Sequence, residues 1–144
     1  MSATKEKITR VQRLQSIEEG RLQALSVELA IAQSDLTKIN AVTETVQSQI
    51  HAVTLPAGGH DVQSHQQSLA WIDHLESQLR ELAELTVKAE SVCETIRERM
   101  IQQKVKVNGW ENLTDRMQAD WANEIQATEM LEADDRYLNK PKTR

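Results

Sequence analysis

Thr54-Leu55-Pro56-Ala57-Gly58-Gly59-His60 is the stretch that decides the fold, because it is the strongest cluster of helix breakers in the chain. Proline fixes φ there and the paired glycines permit positive φ, so the segment is predicted to be the single loop. On its N-terminal side, alternate steps of three and four residues pick out Ile8, Val11, Gln15, Glu18, Leu22, Leu25, Leu29, Ala32, Leu36, Ile39, Thr43, Val46, Ile50 and Val53. On its C-terminal side the same steps run from Ile72, Leu75, Leu79 and Leu82 through Thr86, Ala89, Cys93, Ile96, Met100, Gln103, Val107, Trp110, Thr114, Met117 and Trp121 to Glu124, Thr128 and Leu131. Each series is a heptad seam, the signature of a coiled coil. Leu14 and Ile17 flank the polar members Gln15 and Glu18, so the apolar stripe is expected to drift sideways there.

Composition agrees with long helices. Phenylalanine is absent, tyrosine occurs once and tryptophan three times, which leaves few bulky side chains to fill a wide core. Glycine (4) and proline (2) are also scarce, so there are few places for turns. A narrow apolar stripe on a helix needs a partner, and a single short loop makes that partner antiparallel. The expected fold is therefore all-α, one coiled-coil hairpin over 1–144, with helix one at about 4–53, the loop at about 54–61 and helix two at about 62–139. Asp61 is a candidate N-cap and Ser64-His65-Gln66-Gln67 has the form of a capping box, so helix two is expected to start between 61 and 65. Asn108-Gly109 is a soft spot through which the heptad phase continues.

The arms are unequal. At 1.5 Å per residue they are roughly 75 and 115 Å long. If Val53 lies opposite Val62, the N-terminus comes to rest beside 107–112 and everything after about Trp110 overhangs. That overhang carries Leu113, Met117, Trp121, Ile125, Leu131 and Leu138, and exposed apolar surface rich in tryptophan marks an interaction site. Charge is sorted in the same region. Glu111, Asp115, Asp120, Glu124, Glu129, Glu132, Asp134 and Asp135 face only Arg116 and Arg136, while Lys5, Lys7, Arg10, Arg13, Arg97, Arg99, Lys104 and Lys106 lie just inside the open end. Such polarity can orient docking.

Other function classes find little support in the residues. A net charge of -5 argues against generic binding to nucleic acid or to anionic lipid. No apolar run approaches the roughly 20 residues needed to cross a bilayer, and Lys5, Glu6 and Lys7 are followed by no apolar leader segment, so a cytoplasmic location is expected. There is no phosphate-binding glycine loop, nucleophile elbow or metal-ligand cluster, so no enzyme activity, cofactor or metal is expected. His51, His60, His65 and His74 gather near the turn and read as exposed polar residues rather than ligands. Cys93 falls on the seam, where a thiol packs like alanine, and its expected neighbours are Leu22 and Leu25. Trp71 adjoins Ile72 and is expected to be partly exposed, either covering the hairpin edge or serving as a second binding point.

With these features placed, the chain resembles the FliJ/YscO family, the small cytoplasmic coiled-coil components of flagellar export and injectisome systems. The resemblance covers most of the chain and rests on the unequal hairpin and on two stretches. One is His65-Gln66-Gln67-Ser68-Leu69-Ala70-Trp71-Ile72-Asp73-His74-Leu75, similar to the family's glutamine-rich start of helix two. The other is the distal helix from Trp110-Glu111-Asn112-Leu113 to Glu129-Met130-Leu131-Glu132-Ala133-Asp134-Asp135, with Met130 and Asp135 where the family has glutamine and glutamate. The resemblance implies a stalk, free as a monomer, whose open end enters a hexameric export ATPase through Arg10, Arg13, Trp110, Met117 and Trp121. It also implies contact with the membrane-embedded export gate through Val42, Val46, Trp71, Leu75 and Leu79, and an escort role for export chaperones. Helix one lacks the aromatic residues that the family carries near the turn. Two rival readings remain: a self-associating coiled-coil spacer, and a nucleic-acid-binding hairpin. Asp61, Asp73 and Glu76 make the tip too acidic for the second.

Overall fold

The computed structural model describes residues 2–53 and 62–139. Helix α1 runs Ser2–Ala52 and helix α2 runs Val62–Leu138, and they pack against each other as an all-helical hairpin with the second arm much longer. The predicted loop, the Asp61 cap and His60 lie outside the described residues. Helix α2 starts at Val62, within the 61–65 expected for it, and Ser64 falls in its first turn. Asn108 and Gly109 are helical, with no break in α2. At its end α1 closes with a bond from the Val53 amide to the Ile50 carbonyl at 3.2 Å, a tightened final turn that satisfies a carbonyl otherwise left without a helical partner.

The chain divides into two compact units, one of Leu25–Met100 and one of Met1–Ala24 with Ile101–Arg144. Each contains a stretch of both helices. In the Leu25–Met100 unit, Ala32, Cys93 and Ile96 form the buried core, with Leu29, Leu36 and Met100 packed on it. Leu75 and Cys93 are sealed from solvent, at 0% and 1% exposure. Thr43 and Thr86 also stand in this seam. Their hydroxyls donate to the carbonyls of Ile39 (2.9 Å) and Leu82 (2.8 Å) within their own helices, so only a β-branched apolar surface is left for the partner helix.

The heptad steps locate the seam residue by residue. Every α1 position from Ile8 to Val53 picked out by those steps is buried or half-buried, and so is every α2 position from Ile72 to Trp121. Beyond Trp121 the match is partial: Thr128 is half-buried as the steps require, but Ile125 is half-buried in place of the exposed Glu124, and Leu131 is exposed.

The pairing register differs from expectation. Cys93 packs with Ala32 rather than with Leu22 and Leu25, a displacement of about three turns along α1. Continued by equal steps, the Ala32–Cys93 pairing sets Val53 opposite Ile72 rather than Val62. Heptad phase specifies which face of each helix is buried, but sliding by a whole heptad presents the same face, so the sequence pattern leaves this displacement open.

Candidate protein-binding site

In the Met1–Ala24 and Ile101–Arg144 unit the seam is partly polar. Gln103, only 7% exposed, donates its side-chain amide to the Glu18 backbone carbonyl at 2.9 Å and also to the Glu18 carboxylate. Glu18 also pairs with the Arg21 guanidinium of its own helix at 3.0 Å. Thr114, 6% exposed, places its hydroxyl 2.9 Å from both Gln15 Oε1 and the Trp110 carbonyl, one proton serving two acceptors. Gln15 in turn donates to Glu19 at 3.1 Å. Among the described residues no buried side-chain nitrogen or oxygen lacks a partner. Between Gln103 and Thr114 on α2 stand Val107, 5% exposed, and the half-buried Trp110, so the two cross-helix polar contacts bracket one apolar layer.

These contacts correct two expectations. The apolar stripe does not drift at Gln15 and Glu18; both remain in the seam, while Leu14 and Ile17 are 43% and 52% exposed. A hydrogen-bonded polar layer thus takes precedence over burying two more aliphatic side chains, since rotating α1 to bury them would strip Gln103 of its Glu18 acceptors and Thr114 of one of its two. The N-terminus also does not stop beside 107–112. Stepping from Glu18–Gln103 and from Gln15–Thr114 puts Ile8, itself buried, between Leu113 and Trp121. The segment from Trp110 to about Trp121 is therefore covered by α1, and the uncovered part of α2 is shorter and further out than expected.

The residues assigned to an ATPase contact fall into two groups. Arg10 and Arg13 are exposed and border an open groove on α1 with Lys5, Glu6 and Thr9. Trp110, Met117 and Trp121 are half-buried seam residues, each presenting one edge. Apolar side chains stand open at the end of α2, Met130 (62%), Leu131 (66%), Tyr137 (79%) and Leu138 (76%), and also earlier on α2 in the same unit at Ile101 and Val105. Met130 and Tyr137 escaped the sequence reading because neither sits on the seam. Around them Glu129, Glu132, Asp134 and Asp135 are all exposed, with Arg136 engaged by Glu132 at 3.7 Å.

Neither a family model, a curated protein nor a solved structure matches the chain. The Leu25–Met100 unit holds the residues assigned to a gate contact, and burial separates them. Val46 (6%) and Leu75 (0%) face inward and Leu79 is half-buried, so none offers a free apolar side chain. Val42 and Trp71, at 51% and 47% exposure, flank the seam and remain available. Trp71 stacks obliquely on His74, with ring centroids 5.6 Å apart. His51, His65 and His74 are exposed, and among the described residues no three His, Cys, Asp or Glu side chains come together as a metal site. No described helix is long and apolar enough to cross a membrane.

Proposed function

We propose that this chain is a non-catalytic stalk and escort component of a type III export apparatus, docking in a hexameric export ATPase and linking it to the export gate. The observation that carries this reading is the exposed end of α2, where Met130, Leu131, Tyr137 and Leu138 stand in water. Apolar side chains on an acidic helix end suit a protein groove with basic margins. The exposed Arg10 and Arg13 supply the opposite charge on α1 of the same unit. The resemblance to FliJ/YscO proteins adds the identity of the partners: the ATPase at this end, the gate through Val42 and Trp71, and export chaperones. In this reading the protein is cytoplasmic, monomeric when free, and reaches the membrane only through protein contacts.

Titration of the purified export ATPase with the full-length chain tests the proposal. Saturable binding is expected, weakened at least about tenfold by Leu131→Ala with Leu138→Ala, because losing two interface anchors costs a few kcal/mol. Trp121→Ala and Met117→Ala should weaken it less, since part of each side chain already packs within the seam. Absence of binding by the unaltered chain rejects the assignment. The same exposed leucines would also serve a self-associating spacer, and sedimentation equilibrium separates the two readings: a stable dimer favours the spacer, a monomer the stalk.

A further inference from the structure

We propose that the Met1–Ala24 and Ile101–Arg144 unit is a separable clasp, which opens and closes while the Leu25–Met100 unit stays folded. Three independent features of that unit point the same way. First, its seam interleaves two side-chain hydrogen bonds across the helices, Gln103 on Glu18 and Thr114 on Gln15, with the buried Ile8 and Val107, whereas the other unit has an apolar core cluster of Ala32, Cys93 and Ile96. A polar layer in a coiled-coil seam fixes register and partner at the expense of stability. Both contacts also join unlike groups, so each is lost if either strand slides by a heptad.

Second, each helix carries a glycine in its interior within this unit, Gly20 and Gly109, and a Cβ built at either meets nothing within 4 Å. Neither glycine is required by packing. Each leaves its helix easier to unwind than alanine would. Third, Leu14 and Ile17 are exposed immediately beside Gln15 and Glu18, so once the clasp opens α1 has a second apolar face to offer in place of the first. Closed, the unit shows partners a polar seam and a few aliphatic side chains; open, it offers Ile8, Val11, Val107 and Trp110 as well. The inference stands on the seam itself and does not require the export assignment.

Hydrogen exchange on the full-length chain, read by mass spectrometry, tests it. Amides of 11–22 and 107–117 are expected to exchange at least about tenfold faster than those of 29–46 and 75–96, the pattern of sub-global opening. Replacing the polar contact by Glu18→Leu with Gln103→Leu is expected to slow exchange in 11–22 and 107–117 by about tenfold or more, and to leave 29–46 and 75–96 within about twofold. Gly20→Ala with Gly109→Ala, which touches no seam residue, should slow the same two segments by about fivefold or more and serves if the leucine pair alters association. Equal protection of the two units in the unaltered chain overturns the proposal, and so does failure of both variant pairs to slow exchange in 11–22 and 107–117.

Discussion

The Gln103 side-chain amide reaches across the helix pair to the Glu18 backbone carbonyl at 2.9 Å, tying a residue of the first arm to one 85 positions later in the chain. Because the same amide also serves the Glu18 carboxylate, one side chain answers both acceptors of one residue. Removing either partner alone therefore has a different consequence from removing both.

Gln103→Leu leaves the Glu18 carboxylate in the seam without its cross-helix donor and is expected to destabilise the chain by about 1–3 kcal/mol. Glu18→Leu with Gln103→Leu removes the polar pair altogether and is expected to be stabilising, by the about 1 kcal/mol or more that a tenfold slowing of exchange requires. Urea unfolding followed by circular dichroism compares the two. A double variant less stable than the single one contradicts the account.

Leu14→Gln and Ile17→Gln should each change stability by less than about 0.5 kcal/mol, as for other exposed positions away from special contacts. Val11→Gln, by contrast, places an amide at a half-buried seam position and is expected to cost at least about 1 kcal/mol. Equal losses from the three would mean that the stripe runs through Leu14 and Ile17 after all.

Leu75→Ala should cost about 2–5 kcal/mol, since the side chain is wholly enclosed and the helices can only partly close over the space. Thermal melts of this variant and of Leu69→Ala, where the side chain is 43% exposed, give the comparison. The second substitution is expected to lower the melting temperature far less.

Cys93 is 1% exposed, so a thiol reagent should reach it only when the Leu25–Met100 unit opens. Modification of the native chain is expected to run at least about a hundredfold slower than in denaturant, a conservative margin for an opening that costs several kcal/mol. Rapid labelling of the folded protein would show that this core is not closed.

How far the residues themselves reveal this arrangement differs between its parts. The buried faces were legible, because a period of 3.5 singles out one line along each helix and Ile8, Leu22, Leu75 and Cys93 all lie on it. The longitudinal pairing was not. Leu22 and Ala32 are equally acceptable opposite Cys93 by pattern alone, and only the folded chain sets Ala32 there. The same ambiguity put the start of the uncovered segment just after Trp110 rather than beyond about Trp121. Val46 and Leu75 stand in the heptad series, and only the family resemblance assigned them to a gate contact; both are buried in the seam, whereas the flanking Val42 and Trp71 are exposed.

The two cross-helix bonds carry a consequence for how such chains diverge. Loss of either partner leaves Thr114 with the Trp110 carbonyl and Gln15 with Glu19, so that pair is weakly coupled, whereas loss of Glu18 strips Gln103 of its carboxylate acceptor and substitutions at 18 and 103 should more often arrive in compensating pairs. Gly20 and Gly109, whose missing side chains point into empty space, face no such coupling and are free to drift one at a time. Covariation in a future set of homologous sequences would thus record the alignment of the two arms, the feature that heptad phase leaves open.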